Sequence, residues 1–276
     1  MAAVEVDDHR ARRQRCHSLL LCLALLSPVQ DVEADAPSEE RVEQAVEELS
    51  RAFGKEGGLG LKVQAISAAS EVTHPAVIKW IVKGLKDSDD EVRGASIEAL
   101  RFMEHPDAND ALVTTLMRDK RLRKNAELYE ALIKAVCQHA DPKSLSLIAN
   151  YDLKDETKGT LRARVYGIAR FRTAESVEAL FDVMRRGKKG RLHASMSDIS
   201  TALRVLTGVD HGKSAAAWTK WWNENKRDLK VSPELPELPK KILTTWSRYW
   251  GLEEPKEGRA RQGERGEQPD SEGKRK

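Results

Sequence analysis

Aromatic side chains make up only 5% of this 276-residue sequence, and it contains three cysteines. A chain so poor in rings cannot fill its interior with stacked aromatics. With 40% hydrophobic residues, its core has to be built from Ala, Leu, Val and Ile, whose small volumes suit closely packed helices. Cys16 and Cys22 both lie near the amino terminus, which leaves Cys137 without a partner in the rest of the chain. A disulfide-stapled scaffold is thereby excluded. Cys137 shares a helix-spaced apolar face with Leu132, Ile133 and Val136, the setting of a core thiol and not of a nucleophile. No cysteine pair stands at zinc spacing, and there is no Gly-x-Ser-x-Gly elbow. The cluster Gly57-Gly58-Leu59-Gly60 lacks the Lys-Ser or Lys-Thr ending of a phosphate loop. Neither catalytic residue, metal ligand nor cofactor is expected. No apolar run approaches the roughly 20 residues that a membrane-spanning helix needs.

The longest apolar run, Ser18 to Leu26, follows Arg10, Arg12, Arg13 and Arg15 and precedes Ser27-Pro28. Basic residues ahead of a short apolar core are the pattern of a cleavable export signal. Ala34-Asp35-Ala36 supplies small residues at the right alternation for a peptidase, so residues 1–36 are expected to be a signal peptide and the mature protein to be periplasmic or secreted. The competing readings are a buried helix or a start placed too early, since Asp7 and Asp8 are unusual ahead of such a core. Leu19-Leu20-Leu21-Cys22 has the outline of a lipoprotein box but lacks the small residue before its cysteine.

Down the middle of the chain a helical unit of a little over thirty residues recurs. Each copy is an apolar-periodic stretch, a short turn and a second such stretch. The turns fall at His74-Pro75, His105-Pro106, Asp141-Pro142 and Thr173-Ala174, spaced by 31, 36 and 32 residues, and an altered fifth unit follows. A single helix pair cannot bury its own apolar face, so such pairs must stack on one another. The expected fold is all-α: an α-α superhelix of about five helix pairs over residues 60–230. Residues 37–59 precede it as a capping helix, begun by Ser38, and a glycine-rich break. The second unit is the clearest, with Val92, Ala95, Ala99, Leu100 and Met103 on one side of its first helix and Pro106 opening its second.

The segment Leu85-Lys-Asp-Ser-Asp-Asp-Glu-Val-Arg-Gly-Ala-Ser-Ile-Glu-Ala-Leu100 resembles the signature of HEAT-type repeats in the short bacterial form, also called lyase HEAT-like repeats. That resemblance extends over about residues 60–226. It implies that Asp89 or Asp90 caps a helix, that Arg93 pairs along the stack, and that Ala and Leu fill the interhelix space. Leu61-Lys62 and Leu161-Arg162 occupy the equivalent of Val92-Arg93 in the first and fourth units. The fifth unit, Ala202 to Gly208 followed by Trp218-Thr219-Lys220-Trp221-Trp222, is similar to the closing segment of exported bacterial HEAT-repeat proteins. Independently of the family, Gly208 can end one helix and Ser214 begin the next, which sets Trp218, Trp221 and Trp222 at i, i+3 and i+4 on one face. Three indoles there would seal the end of the stack; the other reading is a platform for sugars or bases.

Beyond Lys230, Pro233, Pro236 and Pro239 enforce an extended crossing over 231–251, with Leu243, Trp246 and Trp250 on one last short helix. Residues 252–276 hold almost nothing apolar and are expected to be a disordered charged tail. His74, His105 and His139 recur at equivalent turns, but packed helices stand about 9 Å apart while a metal–ligand bond is about 2 Å long. Turn caps are expected, not a metal row. HEAT-type metal-dependent hydroxylases carry paired His-Glu dipeptides, whereas this chain has Glu104-His105, once and reversed. The acidic run Asp87-Ser88-Asp89-Asp90 likewise lacks the glycine and the distal glutamate of a calcium loop.

Charge is the best functional lead. The formal net charge is only +3, yet between Arg118 and Arg191 there are 18 Lys or Arg against 10 Asp or Glu. Arg118, Lys120, Arg121, Arg123 and Lys124 fall in the turn after the second unit; Arg185, Arg186, Lys188, Lys189 and Arg191 fall in the turn after the fourth. Both turns join one pair to the next, so both clusters are expected on one edge of the stack, with Arg162 and Arg164 nearby. The edge is either a docking surface or simply a solvated rim. Two functions follow. One is a non-catalytic exported scaffold that binds a partner protein or an anionic polymer through its groove or basic edge. The other is a HEAT-like enzyme acting on nucleic acid, or a lyase-like one, with the rim as substrate track. Export argues against nucleic acid as the partner.

Overall fold

The computed structural model describes residues 36–55, 57–150, 157–187 and 189–252, apart from the side chains of 189–194. The expected signal peptide lies outside the described residues, as does the charged tail beyond Leu252. Among the described residues the regular structure is entirely helical. Helix α1 (Glu39–Ala52) precedes five pairs: α2 (Leu59–Ala69) with α3 (Pro75–Gly84), α4 (Asp90–Phe102) with α5 (Pro106–Arg118), α6 (Ala126–His139) with α7 (Leu145–Ala149), α8 (Lys158–Arg170) with α9 (Ala174–Arg186), and α10 (Lys189–Thr207) with α11 (Ala215–Asn225). A final helix, α12 (Lys240–Trp250), ends the described chain.

Local chemistry explains where these helices begin. Ser38, Asp89, Asn125, Thr157, Thr173 and Ser214 each accept a hydrogen bond from a backbone N–H of the first turn they precede. At the two His-Pro turns the imidazole does the same. His74 Nδ1 accepts from Ala76 N at 3.2 Å and His105 Nδ1 from Asp107 N at 3.1 Å. Proline follows each histidine at a position where no N–H is needed.

The pairs form two rows. The first helices α2, α4, α6, α8 and α10 pack side by side in sequence, while in the second row α1 lies on α3, α3 on α5, and α7 on α9. This is an α-α superhelix of HEAT-like pairs. Between α6 and α8 the approach is so close that a Cβ on Gly167 would stand 2.3 Å from Cys137 Sγ. Cys137 is fully buried there, and burial pushes its thiol up to about 12, against the opposing pull of Arg164 and Arg170. It is a core thiol.

Two departures from the sequence expectation concern the third unit and the last helix. The second helix of the third unit shrinks to a 3₁₀ turn, Pro142–Ser144, and the five residues of α7, which end at Asn150. Ser144, Ser146 and Asn150 compete for backbone bonds in ways that favour caps and turns over helix interior. In α12 the buried residues are Trp246, Ser247 and Trp250, with Ile242 and Tyr249 packed against the core, whereas Leu243 is only half-buried. The helix lies over the first row. Tyr166 of α8 sits 5.5 Å from Trp246 and 4.9 Å from Tyr249, ring centre to ring centre. Lys134 of α6 stands 4.6 Å over the Tyr249 ring, and the Arg170 guanidinium 5.3 Å from that of Trp250. Arg101 of α4, 6% exposed, donates to the Trp250 carbonyl at 2.8 Å and so satisfies a helix C-terminus.

The segment leading into α12 is tied to the turn between α8 and α9. Arg172, in the turn between α8 and α9, donates to the carbonyls of Val205, Ser232 and Glu234. It does so from a left-handed backbone, φ 50°, a conformation that costs a residue with a Cβ about 1 kcal/mol or more. Pro236 then passes within 3.2 Å of where a Cβ on Gly208 would be, at φ 73°.

The tight α6–α8 contact makes a direct prediction. Gly167→Ala should destabilise the protein by about 1–3 kcal/mol through overpacking, measured by denaturant unfolding. In a Cys137→Ala background, where the obstructing sulfur is gone, the same substitution should cost less than half as much.

Candidate docking edge

The turn between α5 and α6 presents five cations on a fixed base. Arg118, Lys120, Arg121, Arg123 and Lys124 are all exposed, while Leu122 among them is fully buried. Leu122 thus pins the turn into the core as the cations point out. Asp119 Oδ1 accepts from the backbone N–H of Arg121 at 2.8 Å and of Leu122 at 3.4 Å, and Arg121 Nε stands 3.6 Å away. Burial raises the Asp119 pKa, but these backbone bonds and the Arg121 charge outweigh it and hold the carboxyl below its ordinary value. On the far side Asn125 caps α6 through Oδ1 and donates from Nδ2 to Asp90 Oδ2 at 2.7 Å, tying the turn to the preceding unit.

The second cluster is less free. Arg185 is exposed and ion-paired with Asp182. Arg186 donates to the Ala149 carbonyl at 2.7 Å, which places the end of α9 beside the end of α7. Lys188 lies outside the described residues, as do the side chains of Lys189 and Arg191, whose backbone belongs to the first turn of α10.

Arg162 and Arg164 were expected to join this edge, and they part company. Arg164 is 3% exposed and donates to the Ile148 carbonyl and the Tyr129 hydroxyl, with its guanidinium 5.5 Å from the Tyr129 ring. It is an internal tie and contributes nothing to a surface. The reason is helical geometry: residues two apart point some 200° away from each other. Arg162 stays at the surface, with Nε 3.2 Å from Asp198 Oδ2. Burial works against its charge, but the Asp198 carboxylate prevails and raises its pKa.

Arg162 opens onto a cavity of about 720 Å³ bounded by α8, α10, the α10–α11 loop and α12. Arg204, Lys213, Lys241 and Arg248 line it as well, and sequence reasoning missed all four. The only signal was their spacing on α12, where Lys241, Thr245 and Arg248 fall at i, i+4 and i+7, away from Trp246 and Trp250.

Trp218 is fully buried, donates from Nε1 to the Gly212 carbonyl at 2.9 Å, and meets His211 and Trp221 edge-on. Trp222 is buried and stacks on Phe181 of α9 at 5.0 Å, while Trp221 is half-buried. No group of three His, Cys, Asp or Glu side chains that would hold a metal ion occurs among the described residues. His139 instead uses Nε2 to reach the Leu100 carbonyl at 2.9 Å. Its pKa is lowered, chiefly by burial, despite that carbonyl and Glu104.

Around the acidic run, Asp89 caps α4, Asp87 pairs with Lys62 of α2 at 2.8 Å, and the buried Arg93 pairs with Asp90. Capped turns, two rows of helices and charge ties from one pair to the next define a stacked helical-repeat protein. The family model for HEAT repeats matches residues 60–129, which span α2 to the start of α6 of this HEAT-like stack. No curated protein matches the sequence at a significant level.

The locked turn predicts a pH-dependent stability difference. Asp119→Ala should lower stability by about 1–2 kcal/mol at neutral pH. Because the folded pKa lies below the unfolded value of roughly 3.9, the carboxylate's contribution is fully present above that value and is lost as pH falls toward the folded one. Urea unfolding of variant and parent should therefore differ at pH 7 and converge below about pH 4.

Proposed function

We propose that this protein is an exported, non-catalytic helical-repeat scaffold whose Arg118–Lys124 turn docks a partner of opposite charge, either an acidic protein surface or an anionic polymer. The observation that carries it is the set of five exposed cations on a turn that Leu122 and Asp119 hold rigid. A solvated rim needs no fixed backbone. A docking surface gains from one, because the cost of ordering the loop is met before the partner arrives. Charge at such an edge steers encounter and sets salt dependence.

The test is capture from the native envelope by crosslinking, together with binding of heparin and poly-glutamate. The triple variant Arg121→Glu, Arg123→Glu, Lys124→Glu should weaken capture at least tenfold in 0.1 M salt, and parent binding should fall steeply as salt rises. Unchanged capture would remove the turn from the account. A duplex DNA arm addresses the enzyme reading: tight, strongly salt-dependent duplex binding would favour a nucleic-acid substrate instead. Export is tested separately by intact mass of protein purified from its host, which should lack about the first thirty-six residues.

A further inference from the structure

The cavity between α8, α10 and α12 has a composition that neither the docking edge nor the repeat packing explains. Five cations line it, Arg162, Arg204, Lys213, Lys241 and Arg248, against a single carboxylate, Asp198. That carboxylate is already engaged. Asp198 is 9% exposed, pairs with Arg162 and accepts from the Tyr166 hydroxyl. Arg204 pairs with Asp210 of the adjoining loop, and its buried Nε has no hydrogen-bond partner. Lys213 and Lys241 make no ion pair among the described residues. Of the hydroxyls on the walls, Ser200 gives its proton to the Gly212 carbonyl, Thr201 to the Ser197 carbonyl and Thr245 to the Lys241 carbonyl, while the buried Tyr249 hydroxyl has no hydrogen-bond partner among the described residues.

The charges arrive from separate parts of the chain. Arg162 and Arg204 belong to the first row of helices and Lys213 to the loop after α10, whereas Lys241 and Arg248 are brought in by α12. The aromatic face of α12 is what seats it on the row, and in doing so it presses two further cations against three. Like charges gathered around a half-enclosed space repel one another, at a cost that a bound anion removes. The volume falls within the range of small-ligand sites, about 300–1,000 Å³.

We infer that this cavity is a binding site for a small phosphate-bearing polyanion, and that its occupation clamps α12 onto the repeats. Lys213 and Lys241, which make no ion pair among the described residues, call for more than one negative charge on the ligand. The three arginines present planar donor sets that fit phosphate oxygens, and the two lysines supply point charges from the α10–α11 loop and from α12. Because the cations come from both α12 and the row beneath it, a bound polyanion bridges the two and favours the docked helix over the released one. The site is distinct from the Arg118–Lys124 turn, which it neither includes nor requires.

The probe is tripolyphosphate, titrated calorimetrically into the full chain, with sulfate and citrate as comparison anions. Saturable one-to-one binding of tripolyphosphate is expected, at least tenfold tighter than either comparison. It should be accompanied by slower amide exchange in α12. Lys213→Gln with Lys241→Gln, both at the surface, should weaken binding at least tenfold without altering the far-ultraviolet circular dichroism. The Arg121, Arg123, Lys124 triple variant should bind as the parent does. Absence of saturable binding, equal affinity for the three anions, or a loss caused by the turn variant in place of the cavity variant would each overturn the proposal.

Discussion

Among the described residues, no helix pair has a closed interior of its own. The apolar side of each first helix is completed by the first helix of the next pair, so that α4 is covered by α2 and α6, and α8 by α6 and α10. Nearly every other feature answers to that constraint. Spacing between neighbours has to be uniform and close, which is why small residues such as Gly167 and Cys137 meet where α6 and α8 touch. Stability of this kind is approximately a sum of weak units and the interfaces between them.

Polar side chains then fix the register. Lys62 reaches Asp87, Asn125 reaches Asp90, Asn109 reaches Asp141, and Arg186 reaches the Ala149 carbonyl, each joining one helix pair to its neighbour. Buried arginines serve the same purpose on the inside. Arg164 donates to the Ile148 carbonyl and the Tyr129 hydroxyl, and Arg101 to the Trp250 carbonyl and the Glu98 carboxylate, all within the molecule. Such groups are costly to bury without hydrogen bonds, so their positions are demanding and discriminate against misaligned stacking. Further cations gather at the Arg118–Lys124 turn and around the α12 cavity.

Much of the architecture was legible in the sequence because it depends on local signals. His-Pro and Thr-Ala turns, capping residues and apolar spacing all act within a few residues, and they located the helix pairs from α2 to α9. The site was harder to read. Arg162 and Arg164 look interchangeable as letters, yet one faces outward and the other is sealed beneath Tyr129, because a two-residue step carries a side chain to the opposite side of a helix. Residues 241 and 248 gained meaning only when α12 folded back over helices that precede it by seventy residues or more. Long-range placement of that kind comes from tertiary burial of Trp246 and Trp250, and no local pattern announces where such a helix will land.

The dependence of each pair on its neighbours is open to one direct measurement: thermal unfolding, followed by circular dichroism, of a peptide spanning residues 126–187, which holds the two middle pairs from α6 to α9. Deprived of α4, α10 and α12, it should show weak helicity and no cooperative transition, since stacked repeats need about three units to stand alone. A sharp transition near that of the whole protein would mean that these pairs carry complete cores of their own, and the account of stacked, mutually dependent units would fail.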